Sequence, residues 1–252
     1  MAEAQQARRY ARALGWASFA SAGYYGLAWS RGDPPEWIVI PKVGAILLMA
    51  PLATQLGASE AADDSASYAW RIGVGLVLCA VGDACLEFEG SPAFSPNSKS
   101  ILFLGGICSF LAGHVAYIFA FSVNRFKIRA LFAIPLLGYA CMLFLYLRPY
   151  LPSALIAPVF IYATAIGWMA VMACSREPAG AANASSSRWA AVSGAAFFIA
   201  SDSVLAISKF VAPLRDAKSI VMATYFLAQG LITFSARGAG GRRRSKAAAH
   251  HR

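Results

Sequence analysis

Apolar residues fill this chain in stretches of roughly 17–22 residues, parted by short polar joints. A hydrocarbon layer about 30 Å thick takes about 20 helical residues to cross. The pattern predicts eight spans, near 14–29, 39–56, 69–86, 101–121, 128–147, 152–173, 189–209 and 218–235. The expected fold class is all-α: a polytopic membrane protein with an N-terminal segment 1–13, an eight-helix domain 14–236 and a basic tail 237–252. The first span carries the weakest signal, diluted by Gly15, Gly23 and Gly26. It reads as a retained helix, because apolar and aromatic residues continue through Tyr24, Tyr25, Leu27 and Trp29. A signal peptide is the other reading, with Arg8, Arg9 and Arg12 before a short apolar region ending at Ala20-Ser21-Ala22.

Composition agrees with the pattern. Only 13% of residues are charged and 58% are apolar, against roughly a quarter charged in soluble domains. The net charge of +10 resembles a nucleic-acid signal until it is mapped onto the loops. With eight spans, the termini and alternate loops on their side hold 15 of the 22 Lys and Arg. The opposite side holds Arg31, Lys99, Arg148, Lys209, Arg215 and Lys218. That asymmetry is the positive-inside bias; it places both termini in the cytosol and calls for no nucleic-acid partner. The tail GRRRSK reads as a disordered topology anchor, with contact to anionic lipid head groups as the other reading. Five cysteines, odd in number and without zinc-site spacing, read as small buried apolar residues. The segments 57–67 and 175–188 read as flexible loops.

Two carboxylates break the apolar pattern. Asp83 lies in GVGLVLCAVGDACL and Asp202 in AAFFIASDSVLAI. An acid at the bilayer centre costs ~2.5–3.5 kcal/mol on insertion scales, so it usually faces a polar interior. Each could simply bond a neighbouring helix, but their local sequences match: a small residue, Asp, two residues, then Leu86 or Leu205. Spans three and seven are four helices apart and run the same way. This points to two parallel four-helix halves about an axis along the membrane normal, a 4+4 repeat with the site between them. Lys42 near the start of span two and Tyr225 in the first half of span eight fall at the same depth as the aspartates, in the half away from the cytosol.

Span four adds His114 and Tyr117, three apart on one face, with Gly113 permitting close helix approach. Span eight adds Tyr225 and Gln229, four apart on one face. Their plain reading is interhelical hydrogen bonding; their functional one is donation to a phosphate or to glycerol hydroxyls. Lys42 has two readings, an ammonium snorkelling to the interface or one that pairs an Asp or holds phosphate.

The segments GDACL, GHVAYIFAF, SDSVLAI and TYFLAQGLITFS, with the Lys in span two, resemble the YhhN-like, or TMEM86, family of lysoplasmalogenases. The resemblance extends over roughly residues 20–236. The loop EFEGSPAFSPNSKS is longer and more polar than the family's compact connection, a departure that bears on substrate selectivity. The resemblance implies hydrolysis of the vinyl-ether bond of lysoplasmalogens to a fatty aldehyde and glycerophosphoethanolamine or glycerophosphocholine, without a cofactor. It implies Asp83 and Asp202 as the catalytic pair, with Lys42, His114, Tyr117, Tyr225 and Gln229 binding substrate. The implied partners are a lysophospholipid and the membrane lipid, in the endoplasmic reticulum of a eukaryote or the inner membrane of a bacterium.

The chemistry suits paired carboxyl groups. A vinyl ether resists nucleophiles but yields to acid: carbon is protonated, water captures the oxocarbenium ion, and the hemiacetal collapses. One acid, one base and a nearby negative charge are needed, which two carboxyls of unequal acidity supply, as in glycoside hydrolysis. The sequence does not assign the two roles. A metal held by Asp83, Asp202 and His114 is a weaker version, since no three histidines lie in the spans. A transporter using the Asp pair as a proton or cation relay is the alternative of a different class.

Overall fold

A computed structural model describes residues 2–58, 63–123, 126–177, 184–237 and Ala239. Among these residues eight α-helices follow one another: α1 (Ala2–Ser30), α2 (Pro35–Ala58), α3 (Asp63–Glu89), α4 (Pro96–Phe121), α5 (Ala130–Leu147), α6 (Ser153–Ser175), α7 (Ala184–Phe210) and α8 (Ala217–Phe234), with a short 3₁₀ turn at Arg148–Tyr150. Seven of them, α2 to α8, are long and apolar enough to cross a membrane. α1 is long enough, but its glycines, arginines and glutamines keep its mean hydropathy low. It begins at Ala2 rather than near residue 14, so the expected separate N-terminal segment is part of this helix.

Helices α2 and α3 extend through most of the segment 57–67, and α7 begins at Ala184; both stretches read as loops are therefore largely helical where they are described. Residues 59–62 and 178–183 and nearly all of the basic tail lie outside the described residues.

Packing follows from small residues. α3 lies against α4 along its length, where Gly75 faces the Tyr117 ring, Gly82 the Phe110 ring, and Gly113 faces Cys79 and the Gly75 carbonyl. Without aqueous solvent to drive helices together, such close backbone approach supplies the van der Waals contact that holds them. α7 and α8 pair in the same way, with Gly194 against Ile232 and the Ala228 carbonyl. α4 also packs on α6, and α8 on α2. The core gathers Ile46, Ile72, Leu76, Tyr117, Phe198 and Ile232.

α5 is turned outward: only Leu147 is buried, while Leu131, Ile134 and Met142 are exposed. An apolar outer face is what lipid contact requires. The same reason corrects the expectation for cysteines. All five are free, Cys79 is buried, but Cys108 and Cys141 are exposed on outward faces where an apolar side chain has no need to be inside.

At the end of the bundle away from both termini, three connections lie together. Ser95 caps α4 by accepting from the Ser98 N–H, with Pro96 at the first helical position. Ser91 donates to Glu36 at the start of α2, tying the α3–α4 turn to the α1–α2 turn. Asp216 adopts a left-handed conformation (φ 57°) as the chain turns into α8.

Candidate active site

A cavity of about 650 Å³ opens at that end and reaches down between α2, α3, α4, α6, α7 and α8. Asp83, Asp202, Lys42 and Tyr225 all face it. Helix periodicity puts Asp83 and Glu87, four apart, on one side of α3, and both turn inward.

Asp83 is 2% exposed. Its Oδ1 lies 3.4 Å from the Lys42 ammonium and its Oδ2 accepts a 2.6 Å hydrogen bond from the Tyr225 hydroxyl. Lys42, 4% exposed, does not reach for the interface; it donates to Glu87 at 3.0 Å as well. Glu87 in turn accepts from Lys218 at 3.1 Å. Four charges thus form one chain from the mouth inward, with each carboxylate beside an ammonium, as burial demands. Asp202 differs. It is half-buried, and Tyr162 on α6 donates to its Oδ2 at 2.7 Å. No ion pair reaches Asp202 among the described residues. The two aspartates therefore share a cavity but not a setting: a cation beside one, a phenol beside the other.

Tyr117, Gln229 and His114 stand behind the wall. The Tyr117 hydroxyl donates to Gln229 Oε1 at 2.6 Å, and Gln229 Nε2 donates to the Tyr225 hydroxyl at 3.2 Å. This relay ends on Asp83, so Tyr117 and Gln229 orient Tyr225 rather than face the cavity. His114 is fully buried between the rings of Phe198 and Tyr162, with centroids 4.6 and 5.4 Å away. Its Nδ1 sits 2.6 Å from the Phe110 carbonyl. A carbonyl only accepts, so Nδ1 carries the hydrogen and Nε2 is the bare nitrogen. Nε2 has no hydrogen-bond partner among the described residues. Among the same residues, no three His, Cys, Asp or Glu side chains converge as metal ligands would, and Asp83, Asp202 and His114 do not form such a group.

Two contributors escape sequence reasoning. Glu87 reads as the start of a polar loop, yet its spacing of one helical turn from Asp83 is the signal that places it inside. Tyr162 is one of three aromatic residues in span six, with Phe160 and Trp168. Its position in the first half of that span, as Lys42 is in span two, is the only pointer.

A sequence profile described as the YhhN family matches residues 37–236. The chain belongs to the YhhN family. Among relatives, it is 32% identical to the lysoplasmalogenase TMEM86B of Sus scrofa over 219 residues, covering 86% of this chain and 83% of that one. It is 34% identical to the human lysoplasmalogenase TMEM86A over 168 residues, 67% of this chain and 65% of that one. To the TMEM86B of Rattus norvegicus it is 30% identical over 214 residues, 84% and 78% of the two chains. No solved structure matches the chain. In this YhhN member the matched region begins at Trp37 and so takes in Lys42, Asp83, Glu87, Asp202 and Tyr225.

Proposed function

We propose that this YhhN protein is an integral membrane hydrolase that cleaves the vinyl-ether bond of lysoplasmalogens. Asp202 acts as the acid and Asp83 as the base. The observation that carries the reading is the unlike pair of aspartates in one cavity, in a chain whose relatives are named lysoplasmalogenases. Lys42 stands beside Asp83 as a carboxylate's counter-ion, which suits the base. Asp202 has no cation beside it among the described residues, only the Tyr162 hydroxyl, which suits the group that begins the cycle as the acid.

The steps balance within this pair. Asp202 delivers its proton to C2′ of the alkenyl chain, and positive charge appears on C1′ and the ether oxygen, facing the carboxylate just formed. Water adds to C1′ and its proton passes to Asp83. The hemiacetal then collapses: Asp83 protonates the glycerol oxygen as the C1′–O bond breaks, and Asp202 takes the hydroxyl proton. A fatty aldehyde and the glycerophospho-head group leave, and both aspartates regain their starting states. Electrostatic stabilisation at the oxocarbenium stage needs no rearrangement, since both groups are already in place. The apolar wall that includes Ile107, Phe110 and Val159 suits the alkenyl chain.

Tyr162 positions the acid. Tyr162→Phe removes its hydrogen bond while leaving the ring packed against His114, and a roughly tenfold fall in kcat with little change in KM is expected. Steady-state kinetics on the purified chain read this directly. The reading as a whole is tested by aldehyde release from an alkenyl-lysophospholipid in detergent. Flux of the intact lipid across sealed vesicles without chemical change would make the protein a transporter instead.

We also read α1 as an eighth crossing. Its outer side carries Trp16, Phe19, Tyr24 and Leu27, all exposed, while its inner side bonds α2 through Ser18 to the Ala45 carbonyl and Ser21 to the Pro41 carbonyl. Eight crossings put both termini on the cytosolic side by the positive-inside bias, and the cavity mouth on the other. The packing of α4 on α6 and of α8 on α2 supports the 4+4 repeat, as does the matching of Lys42–Asp83 on α2 and α3 by Tyr162–Asp202 on α6 and α7. The membrane is that of the endoplasmic reticulum in a eukaryote or the inner membrane in a bacterium.

A further inference from the structure

Two lysines stand at the mouth of the cavity at the same height on different helices. Lys209 follows Asp202 by seven residues on α7, and Lys218 precedes Tyr225, the partner of Asp83, by seven on α8. At 1.5 Å per residue, each lies about 10 Å above the aspartate level along its helix. Both are accessible, with side chains 36% and 40% exposed. Each ammonium has one carboxylate partner: Glu89 at 2.9 Å for Lys209 and Glu87 at 3.1 Å for Lys218. An ammonium has three N–H donors, so each has two left to offer a ligand. The Lys218 ammonium also lies 5.5 Å from the Trp29 ring, which holds it over the opening.

We infer that Lys209 and Lys218 form a phosphate subsite that sets the distance between a lysolipid's head group and its scissile bond. This rests on the hydrolase reading of the cavity below. From C1′ of the alkenyl chain to phosphorus there are six bonds: through the ether oxygen, the three glycerol carbons and the ester oxygen. At ~1.2 Å of advance per bond in an extended chain, the span is about 7 Å. A charge-assisted contact from phosphate oxygen to ammonium adds about 3 Å. The sum matches the two helical turns between the aspartates and the lysines.

The rim also suits the rest of the head group. When Lys209 turns to the phosphate, Glu89 at the mouth is freed to meet the ammonium of ethanolamine or choline, so one ion pair is exchanged for two across a zwitterion. Glu87, buried and held by Lys42 as well, stays where it is. The subsite therefore selects phosphorylated glycerol ethers over phosphate-free ones.

The test uses ligands that cannot be cleaved, so that it stands apart from turnover. The full-length protein in detergent is titrated with a 1-alkyl-glycerophosphoethanolamine and with the matching 1-alkylglycerol, binding being followed calorimetrically. The wild type is expected to bind the phosphorylated ether at least tenfold more tightly, and Lys209→Gln/Lys218→Gln to lose most of that preference. Lys209→Arg/Lys218→Arg keeps charge and is expected to retain it, with thermal melting verifying that both variants are folded. Equal binding of the two ethers by the wild type, or a preference that survives the Gln pair, would overturn the inference. Absence of aldehyde from an alkenyl substrate, with the binding preference intact, would instead strike the hydrolase reading alone.

Discussion

Asp202→Asn is expected to lower kcat on an alkenyl-lysophospholipid by about 10²–10⁴-fold, the range that loss of a positioned acid or base produces. Asp83→Asn is expected to do the same. Asn keeps the volume and a hydrogen-bonding oxygen, so Tyr162 and Tyr225 retain acceptors and the helices have no cause to move. The two variants differ in what else they disturb. At Asp202 no ion pair is broken among the described residues, and melting in detergent is expected to be close to that of the wild type. At Asp83 an anion beside Lys42 is lost, and the ammonium keeps Glu87 alone. A double Asn variant is expected to be little worse than either single one, because groups acting as a unit are not additive. Single-turnover rates with matched expression check all three.

The second large effect is expected at Lys42. It sits between Asp83 and Glu87, 4% exposed, and both carboxylates are themselves buried. Lys42→Met fills similar space but leaves Asp83 without its cation. Breaking a buried pair from one side costs about 3–5 kcal/mol, since the partner charge stays behind. The variant is expected to melt well below the wild type and to be inactive. Lys42→Met combined with Asp83→Asn removes the carboxylate left behind, while Glu87 keeps Lys218 and Tyr225 keeps an acceptor. Stability is expected to return in part and activity not at all, because the base itself is gone. A Lys42→Met protein that melts normally would mean that Lys42 and Asp83 do not face each other as a buried ion pair in the native protein. Thermal melts and aldehyde assays on the same preparations separate the structural from the catalytic share.

Much of the helical layout is legible in the pattern of apolar runs, because a backbone in lipid must satisfy its own hydrogen bonds and does so as a helix. The ends are less legible. α3 continues to Glu89, three residues past where its apolar run stops, because Glu87 finds two ammonium partners inside the bundle. Charge within a hydrophobic stretch marks Asp83 and Asp202 at once, and depth alone brings Lys42 and Tyr225 to their level. Rotation is the harder quantity. Sequence spacing puts His114 with Tyr117, and Tyr225 with Gln229, on shared faces, but it does not tell which neighbour each face meets. In the folded chain Tyr117 and Gln229 bond each other behind Tyr225, and His114 is enclosed by Phe198 and Tyr162. Tyr162 itself is marked by nothing more than its depth in span six. Its importance comes from the carboxylate that α7 places within 2.7 Å of it.

The two aspartates sit in segments that share a small residue, Asp and a Leu three residues on, but what faces them differs: a lysine from α2 in one case and a tyrosine from α6 in the other. On the proposed reading, a 4+4 repeat would supply two like acids, and the differing neighbour on α2 or α6 would make one the proton donor and the other the acceptor.

The most direct measurement is hydrolysis of an alkenyl-lysophospholipid by the purified protein in deuterated water, with the aldehyde reduced at once and weighed by mass spectrometry. Carbon protonation by Asp202 predicts one deuterium fixed at C2 of the aldehyde, and none of this product from Asp202→Asn or Asp83→Asn beyond background. An aldehyde without deuterium on carbon, or labelled aldehyde formed at the wild-type rate by either folded Asn variant, would contradict the account.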